Sequence, residues 1–256
     1  MEFKLLGPLE VVRDGAPVLL GSVKQRTLLA YLLLHGNAYV SMTEIVSALW
    51  DAHPPTTAVK NVQLYVSRLR RILEVPGTTP RLTTHGRGYR LVVRDGELDL
   101  AGCDSLARQA LQRREEGQPG EAARLLRRAL DTWRGIPLTS LARTSAMALE
   151  AERLDAWRMS LYERYFELRL ATGGGPDSVP ELSHLVGLHP YRERLRGQLM
   201  KALHLAGDRY TALAVYRQGY RILVDEIGVE PGQDLRRLHD DILADRVRPS
   251  VTVGRA

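Results

Sequence analysis

The chain is poor in the residues that usually mark a covalent or catalytic framework. One cysteine in 256 residues, Cys103, excludes an internal disulfide, and nothing around it has metal-ligand spacing. It is expected to be a small, partly buried side chain. No apolar run approaches the roughly 18 residues that cross a bilayer. The start MEFKLLGPLE lacks the basic region, apolar core and small-residue cleavage site of a secretory leader. A cytoplasmic protein without a membrane partner is expected. The seven histidines include no pair at i, i+4 around a glutamate, so a zinc-hydrolase signature is missing. Gly173-Gly174-Gly175 lacks the lysine and hydroxyl of a phosphate-binding loop, and no nucleophile, base and orienting group stand at a recognisable spacing. No catalytic residue, metal or cofactor is expected, and an enzyme is disfavoured.

Lysine is scarce too, at Lys4, Lys24, Lys60 and Lys201, and arginine supplies the rest of the 36 positive charges. That excess runs along the whole chain and marks no site by itself. The placement of charge does. From Val59 to Arg94 stand eight basic residues (Lys60, Arg68, Arg70, Arg71, Arg81, Arg87, Arg90, Arg94) against one acid, Glu74, so this stretch carries +7 in a chain that sums to +6. Such a concentration points to a polyanion contact.

Composition is otherwise that of a soluble globular protein, 44% hydrophobic and 26% charged, with length for two compact domains. The first twenty residues read as short strands around the turn Arg13-Asp14-Gly15. Leu28, Leu29, Leu32 and Leu33 then recur at helical spacing until His35-Gly36-Asn37. Ser41-Met42-Thr43-Glu44 is a capping box that opens a short helix through Trp50. After Pro54-Pro55 a long helix is expected from about 57 to 74, stopped by Pro76-Gly77, and two β-like runs flank His85-Gly86-Arg87-Gly88 as a basic-tipped hairpin. Residues 1–94 are therefore read as one domain and 95–98 as a linker.

Beyond the linker the pattern is almost purely helical, with helices expected near 104–116, 119–133, 145–171, 179–188, 191–206, 208–226 and 233–245. Gly117 followed by Ala122, Ala123, Leu126 and Leu130 is echoed by Gly207 followed by Ala212, Leu213, Tyr216 and Tyr220. Small residues at those offsets let paired helices approach closely, the logic of a tetratricopeptide repeat. Residues 99–246 are read as an all-α, tetratricopeptide-like domain and 247–256 as a tail. Trp50, Trp133 and Trp157 each fall in an apolar helical stripe and are read as core rather than as a ligand cage.

On a helical wheel centred on Val62, the residues Ala58, Val59, Tyr65, Val66, Leu69, Ile72 and Leu73 gather on one broad face. Opposite lie Lys60, Leu64, Ser67 and Arg71, flanked by Asn61, Gln63, Arg68 and Arg70. Guanidinium suits guanine, amide suits adenine, and an apolar group suits the thymine methyl, so this face fits a major groove, with Leu64 the apolar reader. The hairpin places Arg87 where a minor groove can receive it, with His85 at the same tip. Lys24, Arg26, Arg70 and Arg90 are candidate phosphate contacts.

The opening strands, KQRTLLAYLLLHGNAYVS, the segment ending in ALW, NVQLYVSRLRRIL and GRGYRL resemble an OmpR-type winged helix-turn-helix. EAARLLRRALDTWRGIPL and the run from LHPYRERLRG to DEIGVEP resemble the bacterial transcriptional activator domain. Together they are similar, nearly end to end, to the Streptomyces antibiotic regulatory proteins. The resemblance implies an α+β winged helix-turn-helix domain followed by an all-α domain, and activation of secondary-metabolite genes from promoter direct repeats, as a homodimer or paired protomers. RNA polymerase and its sigma factor are the implied partners, met through the loop after the second helix, here Asp51, His53 and Thr56. It also implies that Lys60, Asn61, Gln63, Leu64, Ser67, Arg68 and Arg71 read bases. No receiver domain, nucleotide-binding ATPase module or phosphopeptide-binding domain is expected alongside the two, and the wing reads HGRGY where relatives often carry proline. A rival reading is a scaffold or effector-binding regulator that acts through the helical array, as a repressor or a docking platform.

Overall fold

The computed structural model describes residues 1–74, 77 and 79–247. The expected Pro76 stop and the tail from residue 248 lie outside them. The chain divides into two compact units, one of residues 1–106 with 128–158, the other of residues 107–127 with 159 onward.

In the first unit, β1 (Glu2–Lys4), β2 (Glu10–Arg13) and β3 (Ala16–Pro17) form an antiparallel sheet in that order, with Phe3 opposite Val11. Asp14 and Gly15 both take positive φ, 50° and 80°, the backbone a two-residue hairpin connection needs. Helix α1 (Val23–Leu34) starts at Ser22, whose side chain accepts from the Gln25 amide. After Asn37, in the left-handed region at φ 65°, come β4 (Tyr39–Ser41) and α2 (Met42–Trp50). The capping box is formed as the sequence predicts, with Ser41 and Glu44 satisfying each other's backbone amides. Helix α3 (Ala58–Leu73) and the hairpin β5 (Leu82–His85) and β6 (Gly88–Leu91) complete the winged region, in a second antiparallel sheet of order β4-β6-β5. Leucines of α1, Ile45 and Leu49 of α2, and Val62, Val66, Leu69 and Leu73 of α3 meet in its core. Each such side chain stabilises the fold by about 1.5–3 kcal/mol.

Residues 95–98 form a tight turn bound to the first strand. Phe3 donates to Glu97 O at 2.6 Å, and Leu5 and Leu6 donate to the Asp99 carboxylate at 2.8 and 3.0 Å. Burial pushes the Asp99 carboxyl up, against the pull of those amides and of Arg134.

From there α4 (Asp99–Glu115), α5 (Pro119–Asp131) and α6 (Ser145–Ala171) each pass from one unit into the other. Between α5 and α6 the chain returns to the winged region. Arg134 donates its amide to Leu6 O at 2.7 Å and pairs with Glu10 at 2.8 Å. The Ala142 amide donates to Thr27 Oγ1 at 2.9 Å. Trp133 lies in this connection, past the end of α5 at Asp131, and not in a helical stripe as its neighbours suggest. It still packs, on Trp157, with ring centroids 5.7 Å apart.

Among its described residues the second unit has helices and no strand. A short 3-10 turn (Pro176–Ser178) leads into α7 (Val179–Leu188), then α8 (Glu193–Leu205) and α9 (Arg209–Ile222), whose end widens into a π turn (Leu223–Ile227), and α10 (Gln233–Leu243). The two echoed glycines end α4 and α8 in the same way. Gly117 and Gly207 have φ 74° and 84°, and the amides around each turn back to carbonyls of the last helical turn. Arg196, only 1% exposed, donates to Val215 O and Pro190 O, each at 3.0 Å, and crosses Gly219 of α9. The architecture is an α+β winged helix-turn-helix region followed by an all-α, tetratricopeptide-like region.

Candidate nucleic-acid interface

Helix α3 divides largely as the wheel predicts, except that Val59, in its first turn and expected on the apolar face, is 47% exposed. Ala58, Val62, Val66, Leu69 and Leu73 are buried, while Lys60, Gln63, Leu64, Ser67, Arg68 and Arg71 are exposed and Asn61 is half-buried. Leu64 leaves 45% of its surface in water, an apolar side chain amid cations and amides. The helix has no acid in its first turn and two arginines in its last, where cations complement its dipole. Lys60, Arg68 and Arg71 pair with no described carboxylate.

The hairpin tip is Gly86-Arg87, since His85 and Gly88 face each other in register. Gly86 has φ 49°, which favours glycine. Gly88 has another reason to be glycine, because a β-carbon there would collide with Val40 O and the Tyr39 ring. The Met42 amide donates to Arg87 O at 2.8 Å, tying the hairpin to the start of α2. His85, Arg87 and Arg90 are exposed.

Other expected contacts are used inside the fold. Arg70, half-buried, donates through Nε to Leu82 O at 2.9 Å and through Nη2 to Thr84 Oγ1 at 2.7 Å. Lys24 donates to Leu49 O and lies 5.5 Å from the centre of the Trp50 ring, and burial lowers its pKa. Trp50 itself stacks on Tyr65, 6.5 Å away. Arg26 is half-buried on α1. Arg81, counted in the basic stretch, is 6% exposed and makes a two-pronged pair with Glu97 at 2.6 and 2.7 Å, so it adds nothing to the surface charge. Its type alone gave no sign of that partner, 16 residues away.

The loop between α2 and α3 is exposed at Asp51, His53 and Thr56. Asp51, at φ 59°, accepts from both the amide and hydroxyl of Ser145, at 3.2 and 2.9 Å. Sequence reasoning missed Arg13, whose guanidinium donates to Ile72 O and ties β2 to the end of α3. No local pattern signals a contact across 59 residues.

Residues 98–243 match the family described as Bacterial transcriptional activator domain, and residues 15–91 match Transcriptional regulatory protein, C terminal. Regulatory protein AfsR of Streptomyces coelicolor is 40% identical over 95% of this chain, which spans only 24% of that protein. Regulatory protein DnrI of Streptomyces peucetius is 32% identical over 95% of this chain and 92% of its own length. A solved structure of Mycobacterium tuberculosis EmbR in complex with a low-affinity phosphopeptide superposes with a TM-score of 0.91 at 34% identity, over 97% of this chain and 66% of that one. Among the described residues no helix is long and apolar enough to cross a membrane. With both regions matched in order and DnrI matched over nearly its whole length, the chain belongs to the Streptomyces antibiotic regulatory protein family of transcriptional regulators.

Proposed function

We propose that this chain is a sequence-specific DNA-binding activator of secondary-metabolite biosynthetic genes, working by binding rather than catalysis, in the cytoplasm at the nucleoid. The observation that carries the reading is the outer face of α3, where Lys60, Gln63, Leu64, Ser67, Arg68 and Arg71 stand in solvent beside a hairpin tipped by Arg87. In this reading α3 enters the major groove. Arg68 and Arg71 meet guanine or phosphate, Asn61 and Gln63 meet adenine, and Leu64 meets a thymine methyl. Arg87 or His85 enters the adjoining minor groove, and Arg90 meets phosphate, with Arg26 a further candidate. Two protomers occupy a direct repeat, and His53 and Thr56 face RNA polymerase and its sigma factor, with Asp51 fixing the shape of their loop.

The test is binding to promoter duplexes at several salt concentrations. Each neutralised phosphate gives a log-log slope of about −0.9. A steep slope and discrimination among sequences are expected, while a flat one, or equal binding to any duplex, sinks the proposal. A second reading, an effector-binding regulator, draws on a cleft of about 930 Å³ in the helical unit, lined by Leu170, Leu205, Leu235, Leu238, Gln198 and Lys201 among others. The same titration separates the first reading from a scaffold that acts without binding DNA, since only the scaffold needs no salt dependence.

A further inference from the structure

Strand β5 is the outer strand of its sheet, so among the described residues one of its edges has no strand partner. The two flanks of the hairpin are accordingly held by different means. On the β6 side, main-chain bonds to β4 and the Met42 amide on Arg87 O fix the chain. On the β5 side, among the described residues, a side chain of α3 reaches across: Nε and Nη2 of Arg70, which lie along the same edge of the guanidinium, grip Leu82 O and Thr84 Oγ1 together. Thr84 directly precedes His85 and the tip. We infer that Arg70 is a positioning residue, which sets the angle of the hairpin tip to the outer face of α3 and does not itself contact DNA. The inference rests on the DNA-binding reading above.

A guanidinium presents parallel donors in a rigid fork, whereas an ammonium is a single point charge on a flexible stem. Lysine at position 70 therefore keeps the charge and loses the side-on grip. Leu82, buried at the base of the hairpin, remains in the core whatever stands at 70, so the hairpin stays folded and only its tip loosens. Binding must then order the tip, which adds an entropic cost.

The experiment uses the full chain and a duplex that the wild-type chain selects from a random-sequence pool. Arg70→Lys, Arg70→Gln, Thr84→Val and the Lys/Val double variant are compared in affinity, salt slope and hydroxyl-radical footprint. Both Arg70 variants are expected to bind on the order of tenfold more weakly with the wild-type salt slope. Protection of the minor groove beside the tip fades, while protection from guanine N7 methylation under α3 persists. Thr84→Val gives part of the same loss, and the double variant loses no more than Arg70→Lys alone, because both changes cut one tether. Near-wild-type binding by Arg70→Lys, with the slope of Arg70→Gln shallower by about 0.9, would make Arg70 a phosphate contact and overturn the inference. So would wild-type binding by both variants. Should Arg70→Gln fail to fold, Thr84→Val decides, and an unaltered footprint overturns the inference. A wild-type chain that selects no sequence brings down the DNA-binding reading itself, a distinct outcome.

Discussion

The Thr144 hydroxyl donates to the carbonyl of Ala48 at 2.8 Å, a buried bond between residues 96 apart in the chain. It sits with the bonds from Ala142 to Thr27 and from Ser145 to Asp51, so the segment between α5 and α6 holds α1, α2 and the loop after α2 together. Thr144→Val keeps the shape and removes the donor. The loss should be about 1 kcal/mol, read as a lower denaturation midpoint of the full chain. An unchanged midpoint would show that the bond contributes nothing net.

Leu64 allows a test at the level of single methyl groups. Leu64→Ala should weaken specific DNA binding by about 1 kcal/mol and leave the melting temperature alone, since the side chain is exposed in the free protein. Replacing the contacted thymine by uracil should cost the wild type about 0.8 kcal/mol and the variant nothing. Equal sensitivity of both proteins to uracil at every position would remove Leu64 from the groove.

Arg81 and Glu97 supply a pH dependence with a definite sign. Hydrogen bonds from Arg81 hold the Glu97 carboxyl below its usual value, against burial and with help from the Arg94 amide. A carboxyl with a lower pKa in the folded state contributes stability above its ordinary value, and that contribution fades as pH falls through the folded one. Glu97→Gln should therefore cost about 2 kcal/mol at neutral pH. The gap to wild type should close as pH drops below about 4.3. Asp99, shifted upward by burial, works in the opposite direction in both proteins and cancels from the comparison. A gap that stays constant through the acid range would mean the pair is not coupled to folding.

Two helical glycines should respond oppositely to alanine. At Gly219 the new methyl would run into the Arg196 side chain, whose guanidinium is held by carbonyls at both Nη1 and Nη2, so Gly219→Ala should destabilise by about 1–3 kcal/mol. At Gly187 of α7 nothing lies within 4 Å of the added carbon. Gly187→Ala should stabilise by up to about 1 kcal/mol, from helix propensity alone. Thermal unfolding of the two variants side by side checks the pair, and a loss at Gly187 or a gain at Gly219 would contradict it.

What could be read from the sequence was local. The capping box at Ser41, the split of α3 into apolar and basic faces, and the bounds of α6 at Ser145 and Ala171 all follow from residues within a few turns of each other. The matched glycine turns at 117 and 207 were legible for the same reason. What escaped depends on distant partners. Arg81 looks like any surface arginine until Glu97 folds back on it, and Arg70 and Lys24 look like phosphate ligands until Leu82, Thr84 and Leu49 claim them. Trp133 carries a helical pattern into a connection, where Trp157 supplies the packing the pattern implied. At the candidate site, the residue types on α3 were readable because exposure follows helical periodicity. The tethers that aim the hairpin were not, since no spacing encodes them.

The first compact unit is discontinuous along the chain, because residues 128–158 fold into it after an excursion through the second. Synthesis runs from the N-terminus, so a nascent chain that has cleared only the hairpin still lacks Arg134 for Leu6, Ala142 for Thr27 and Thr144 for Ala48. Leu6, Thr27 and Ala48 therefore wait for these partners until the chain through Thr144 has left the ribosome, so the first unit closes only after part of the second has been made.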